Sequence, residues 1–361
     1  MNQDRRDFLT QCVAAPVALL AAPPLAALAQ PPQANEPKPK LGRLGIVIHS
    51  YGIRRAHRPS GFADPVVFLE YCRKLGAGGV QVSLGRGDDA YVGKIREAVN
   101  ASGMYLEGIV GLPRGANDVA RFTDELRTAK ECGATVLRSV MLSGRRYETF
   151  ETADAFRQFA ERSWQSLVLA KPIVEKHGVR LAIENHKDWR VPELLDILKR
   201  IDSPNIGVTL DTGNSIALLE EPHEVVEAYA PYTFTLHFKD MAVAEYGDGF
   251  LLSEVPLGTG FVDLPRIIKL VRDKRPEANF NLEMITRDPL RVPCLRSKYW
   301  ATFADLPAKV LAGALAMVRD KAAKQPLPRI SELSQADKLA REDENVRASL
   351  EFARKSLTFD T

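Results

Sequence analysis

The chain has 361 residues, 45% of them hydrophobic and 26% charged, with a net charge of +3. That composition suits a globular protein with a real core, in one large domain or two. Charge so nearly balanced over this length gives no basis for a nucleic-acid-binding face, which needs clustered basic residues.

In chain order, residues 1–29 come first. Arg5 and Arg6 precede Phe8 and Leu9, a short apolar stretch is broken by Pro16, Pro23 and Pro24, and Ala27-Leu28-Ala29 offers a small-residue cleavage site. The segment resembles a twin-arginine export signal. It predicts a periplasmic or secreted protein with no stable membrane insertion once the signal is removed. Residues 30–42 are a Pro-rich linker. Cys72, Cys132 and Cys294 form an odd, unpatterned set, read as buried or free thiols.

From residue 43 the sequence alternates short β-branched runs with longer segments of helical apolar spacing. Strands are predicted at 43–50, 79–85, 105–112, 135–142, 179–185, 206–212, 233–240 and 280–286. Helical runs between them stop at glycines such as Gly103 and Gly178, as left-handed caps require. Eight near-continuous apolar strands, each followed by a helix, predict an α/β fold, a (β/α)8 TIM barrel over residues 43–325. No glycine-rich nucleotide fingerprint follows the first strand. Residues 326–361 are highly charged with sparse apolar positions, and are expected to form an appended C-terminal helical segment on the barrel or on a second copy in a homo-oligomer.

The last four strands carry the chemistry. "RLAIENHKDW" ends on Glu184, "IGVTLDTGN" on Asp211, "FTLHFKD" carries His237 and "FNLEMITRD" carries Glu283. Strand C-termini of a (β/α)8 barrel converge on one face, so these four groups would meet around the axis. Three carboxylates buried together would repel one another unless a cation holds them. The oxygen-rich set suits one divalent metal ion, Mn²⁺ or Mg²⁺ first, with Co²⁺ or Zn²⁺ tolerated.

The set of "IENH", "TLDTGN", "LHFKD" and "NLEM" resembles the xylose-isomerase-like TIM-barrel superfamily of sugar phosphate isomerases and epimerases. "PLGTGFVDL" (256–264) is similar to the loop these proteins carry before the last helix. The resemblance implies that Glu184, Asp211, His237 and Glu283 bind the metal, and that Glu184 and Glu283 also serve as the catalytic acid/base pair. It implies an isomerase or epimerase working through an enediolate on a small carbohydrate. Asn214 stands where family members often place a substrate-contacting histidine.

His49, His186, Asn214, Lys239 and Arg287 are the candidate substrate-binding residues around the mouth. Glu107 and Arg138 are expected as a buried pair inside the barrel, and the long segment after Glu283, with Tyr299 and Trp300, as a lid. Export favours a free sugar or keto-sugar over a phosphorylated one. A lyase or dehydratase performing β-elimination on a 3-keto-glycoside with the same residues is the alternative. An endonuclease IV-like phosphoesterase needs many more histidines and a basic face, and a non-catalytic sugar-binding barrel predicts loss of a ligand; neither fits this sequence.

Overall fold

The computed structural model describes residues 42–303 and 305–360. The expected export signal and the linker up to residue 41 lie outside them. No helix among the described residues is long and apolar enough to cross a membrane.

Seven parallel strands come first: β1 (Gly45–Val47), β2 (Gly79–Ser83), β3 (Tyr105–Ile109), β4 (Val136–Ser139), β5 (Arg180–Glu184), β6 (Ile206–Asp211) and β7 (Thr233–Phe238). The chain then makes a hairpin of β8 (Asp240–Tyr246) and β9 (Gly249–Val255). β10 (Asn279–Leu282) follows and closes the barrel between β7 and β1, and β11 (Leu290–Val292) returns to pair with β9. The closed order β1-β10-β7-β6-β5-β4-β3-β2 is the expected barrel, with a three-stranded antiparallel sheet, β11-β9-β8, added beside it.

The helices are α1 (Gly52–Ala56), α2 (Pro65–Lys74), α3 (Asp89–Ser102), α4 (Val119–Glu131), α5 (Arg146–Thr149), α6 (Ala153–His177), α7 (Val191–Ile201), α8 (Pro222–Tyr229), α9 (Leu264–Arg272), α10 (Ala308–Lys321) and α11 (Gln335–Ser356). α7 shows how the sequence dictates them. Pro192 sits in the first turn, where its missing N–H costs nothing, and the Glu193 carboxylate turns back to accept from Arg190 N at 2.8 Å. Leu194, Ile197, Leu198 and Ile201, spaced three and four apart, form the buried face. Removing one such leucine side chain would cost about 2–5 kcal/mol. Gly103 and Gly178 end α3 and α6 in the left-handed conformation, at φ 64° and 62°.

Two sequence expectations change, and one left open is resolved. The "PLGTG" loop precedes α9, which leads into the eighth barrel strand, rather than the last helix. Its backbone wraps the Asp240 carboxylate, which accepts from Gly258 N and Gly260 N at 2.9 Å and from Val262 N at 3.2 Å. A Cβ at Gly260 would lie 2.1 Å from that carboxylate, so only glycine fits. Second, α10 packs on β8 and β9 of the added sheet, while α11 packs on the barrel itself. Val346, Leu350 and Ala353 are buried, Tyr51 donates to Asp343 at 3.0 Å, and the Glu342 carboxylate caps α1 through Ile53 N and Arg54 N at 2.6 and 2.9 Å. The spacing of its few buried apolar positions, four residues and then three, suffices for one buried stripe. Third, the segment after Glu283 is a packed connection, not a free lid. β11 is hydrogen-bonded to β9, Tyr299 is buried with its hydroxyl donating to Ala217 O at 2.8 Å, and the Trp300 indole donates to Cys294 O at 2.8 Å. Cys72, Cys132 and Cys294 are buried and free, as expected.

Candidate metal centre and cavity

Strand register delivers the four residues. Asp211 and His237 lie side by side at the ends of β6 and β7, Glu184 ends β5, and Glu283 follows β10 directly. Each offers one ligand atom, and these atoms all lie within 4.8 Å of one another, every residue being buried. These four residues could hold a metal ion.

The surrounding hydrogen bonds aim these side chains. Gln81, on β2, accepts through its amide oxygen from His237 Nε2 at 2.8 Å and donates its amide N–H to Glu107 at 2.9 Å. A protonated Nε2 leaves the Nδ1 lone pair for an ion. His237 Nδ1 lies 3.4 Å from both Glu184 and Glu283 and makes no hydrogen bond. Asp211 is clamped by Asn185, which accepts from its N–H at 2.7 Å and donates to its carbonyl at 2.9 Å. Asp211 Oδ1 accepts from Gly213 N and Asn214 N, while Oδ2 is without a hydrogen bond, 2.9 Å from the Lys239 ammonium. Ser50 flanks Glu283, donating to Leu282 O at 2.9 Å and accepting from Met284 N at 3.0 Å. Two buried atoms that make no hydrogen bond, though charged neighbours stand close, in a set of three carboxylates and one imidazole whose ligand atoms lie together, fit a divalent cation of the Mg²⁺ or Mn²⁺ type.

Cations already balance part of this charge. Arg138 Nε donates to Glu184 Oε2 at 2.6 Å, and Asn214 donates to Glu184 Oε1 at 2.9 Å. Arg138 therefore pairs with Glu184, not with Glu107 as expected from sequence. Lys239 Nζ is 2.6 Å from Glu283, whose other oxygen accepts from His49 Nδ1 at 2.9 Å. Burial works to raise both glutamates, but Arg138 and His237 hold Glu184, and His237 and Lys239 hold Glu283, well below the usual carboxylate range. For Asp211 burial prevails and pushes its carboxyl up.

A cavity of about 210 Å³ opens beside the cluster, with Glu184, Glu283 and His49 in its wall. Arg138, Lys239, His186 and Arg287 line it as well, together with Lys187. Of the five residues expected to meet substrate, four thus face this cavity. Asn214 is not in its wall; its side chain is engaged by Glu184 and Lys187. His186 Nδ1 has no hydrogen-bond partner, and burial together with the Lys187 charge lowers the ring to about 3, so the imidazole is neutral. Arg287 grips Glu254, a buried carboxylate on β9, with Nε donating at 3.1 Å. Burial acts to raise Glu254, but Arg287 and Lys239 bring it down to about 2. A larger cavity of about 630 Å³ lies between α7, α8 and α10. None of the cluster residues lines it, so chemistry rather than size selects the smaller one.

Sequence reasoning missed Gln81, Lys187 and Glu254. Gln81 interrupts an otherwise apolar strand, "GVQVS", which is a signal for a polar residue turned into the barrel. Lys187 stood in plain view behind "IENH". Glu254 lies on a hairpin whose two-residue Gly247-Asp248 turn between alternating runs is itself a strand signal.

The family described as xylose isomerase-like TIM barrel matches residues 69–302. The chain is similar to the 3-oxo-isoapionate decarboxylase of Pectobacterium atrosepticum, with 31% identity over 245 residues, covering 66% of this chain and 83% of that protein. A xylose isomerase-like TIM barrel protein from Mycobacterium smegmatis, solved in complex with magnesium, superposes with a TM-score of 0.52 at 18% identity, covering 76% of this chain and 98% of the other. A D-psicose 3-epimerase solved in the presence of D-fructose gives a TM-score of 0.54 at 16% identity, covering 81% and 93%. The two structural likenesses are likenesses of fold.

Proposed function

Because the chain belongs to the xylose isomerase-like TIM-barrel family, whose members include epimerases, a decarboxylase and a dehydratase, we propose that it is a divalent-metal-dependent enzyme acting on a keto-sugar through an enediolate. The observation that carries this reading is the cluster of Glu184, Asp211, His237 and Glu283, whose ligand atoms lie within 4.8 Å of one another, two of them without a hydrogen bond, beside a polar cavity. An ion held there would polarise a substrate carbonyl and stabilise the negative charge that develops on its oxygen.

The chain's own residues divide the remaining work unevenly. Glu283 faces the cavity beside His49, whose side chain is 29% exposed, so a proton on Glu283 has a path to solvent through the imidazole. Glu184 has both oxygens engaged, by Arg138 and by Asn214. It acts as a ligand and is poorly placed to shuttle a proton as well. An isomerase or epimerase of the two-carboxylate kind needs both glutamates free to move protons. A lyase reaction needs only one: in β-elimination it takes the proton from the carbon next to the carbonyl and returns it to the group departing from the following carbon, and in decarboxylation it supplies a proton to the carbon next to the carbonyl that carbon dioxide has left. The Arg138–Glu184 pairing favours the lyase reading, as does the likeness to a decarboxylase. Export through the twin-arginine-type segment belongs to the same proposal, and an unphosphorylated substrate suits that address.

The test is NMR in D₂O on a panel of keto-sugars, 3-keto-glycosides and 3-oxo sugar acids, with Mg²⁺ or Mn²⁺ supplied, for the wild type and Glu283→Gln. Metal-dependent deuterium incorporation next to a carbonyl, lost in the variant, supports the enediolate. A released aglycone or carbon dioxide identifies the lyase, and a rearranged sugar the isomerase. No exchange on any member of the panel, with metal bound, rejects the proposal.

A further inference from the structure

Among the cations around the cavity, one stands apart. Arg138 contacts Glu184, Lys239 contacts Asp211 and Glu283, and Arg287 contacts Glu254. Lys187 contacts no carboxylate among the described residues. Its side chain is 3% exposed, it lines the cavity wall, and the one partner of its ammonium is the neutral amide oxygen of Asn214. A buried ammonium without a counter-ion is costly, and natural cores avoid one unless something else supplies the charge.

Its position is built rather than accidental. The backbone of Lys187 is bridged to Arg145, and its carbonyl accepts from Arg146 N at 2.8 Å, which fixes where the side chain starts. The neighbouring His186 lines the same cavity, and its buried Nδ1 makes no hydrogen bond. Burial and the nearby Lys239 and Arg287 charges act against the Lys187 ammonium, and the more distant Glu254 and Asp211 carboxylates, which do not contact it, offset only part of that. A divalent ion in the four-residue cluster would add further positive charge to the same enclosed space.

We propose that the substrate is a sugar acid, and that its carboxylate is the missing counter-ion of Lys187, seated in the cavity alongside His186 and Arg287. The carboxylate takes the ammonium's charge-assisted hydrogen bonds, and its other end, bearing the carbonyl, points to the metal-binding cluster. One unmatched cation is balanced by the single charge of a carboxylate; a phosphate would bring nearly two. This rests on the enediolate reading for the identity of the site, and it narrows the substrate from keto-sugars in general to their acids.

Isothermal titration calorimetry of the full chain, with and without Mg²⁺, tests it with three probes: D-xylonate, xylitol and inorganic phosphate. D-Xylonate is expected to bind at least about tenfold more tightly than xylitol in both metal states, as a charge-assisted contact in a buried site requires. Lys187→Met should remove that preference, and Lys187→Arg, which keeps the charge, should retain part of it. Equal affinities for D-xylonate and xylitol in the wild type overturn the proposal. So does a preference that survives Lys187→Met. Phosphate binding more tightly than D-xylonate rejects the carboxylate in favour of a phosphorylated ligand. The wild-type comparison stands even if the methionine variant unfolds, which circular dichroism would reveal. Acid-selective binding by a chain that exchanges no deuterium keeps this proposal and sinks the enediolate. Exchange on neutral keto-sugars without acid selectivity does the reverse.

Discussion

The floor and the mouth of the barrel hold two buried polar clusters of opposite character. On the floor, the Glu107 carboxylate accepts from Gln81, Thr235 and Asn279 at 2.9 Å and from Asn281 at 3.1 Å, and Tyr105 donates to Asn281 at 3.0 Å. Its side-chain donors and acceptors find each other. At the mouth, three carboxylates and an imidazole crowd together with His237 Nδ1 and Asp211 Oδ2 left without hydrogen bonds. Both clusters are buried, so burial alone does not distinguish them. Satisfaction does: a completed network fixes a shape, whereas an incomplete one is waiting for a ligand.

Breaking the two clusters should therefore have opposite signatures. The largest effect is expected from Glu283→Gln, which should reduce turnover by on the order of 10³-fold, about 4 kcal/mol of barrier. Thermal unfolding of the metal-free protein should fall only modestly, because the amide keeps the side chain's shape while giving up the ion pairs with Lys239 and His237. Glu107→Ala should do the converse. Stranding four donors in the floor should cost roughly 3 kcal/mol or more in chemical denaturation. A smaller loss would mean that the floor is less essential than its hydrogen bonds suggest. Gln81→Leu cuts the link between the clusters and frees His237 to adopt the wrong tautomer. Metal affinity, measured by titration, should fall about 10- to 100-fold. An unchanged affinity would leave Gln81 a structural residue only.

The smallest of these effects is graded by pH. Burial opposes a charged imidazole, but Glu283 and Glu184 raise His237 to about 9 in the metal-free protein. Metal and proton then compete for Nδ1, so affinity should rise by about tenfold per pH unit towards pH 9 and flatten above it. In the metal-free protein the raised value stabilises the fold fully below the ordinary 6.5, and that contribution fades as pH climbs through about 9. A metal affinity that is flat between pH 6 and 8 would place the proton elsewhere.

Much of this was legible in the sequence because a parallel strand must be apolar along its length, which makes a charged residue at its end conspicuous. Glu184, Asp211, His237 and Glu283 stand out in that way. The partners of those residues do not. Arg138 sits within β4, and nothing in its own sequence neighbourhood tells whether it reaches Glu107 below or Glu184 beside it; the stagger of neighbouring strands decides. Lys187 reads as one more polar residue of a loop until the fold buries it. The role of α11 was obscured by a different cause. A barrel helix packed on one narrow stripe can be mostly charged, and its composition then resembles a solvent-facing appendage.

The hairpin of β8 and β9 has a consequence for how such an enzyme changes over generations. It leaves the barrel immediately after Lys239 and carries Glu254, the residue that grips Arg287 in the cavity wall. The four residues of the cluster stand at or just beyond the ends of barrel strands flanked by neighbours on both sides, where a shift in one disturbs the others. Glu254 and Arg287 belong to the added three-stranded sheet and its approach, whose two-residue turn is far more tolerant of substitution or lengthening. One side of the cavity wall, at Arg287, is thus held from the hairpin, while Lys187, His186 and the cluster itself stand on the barrel, so a change in the hairpin alters that side and leaves the rest in place.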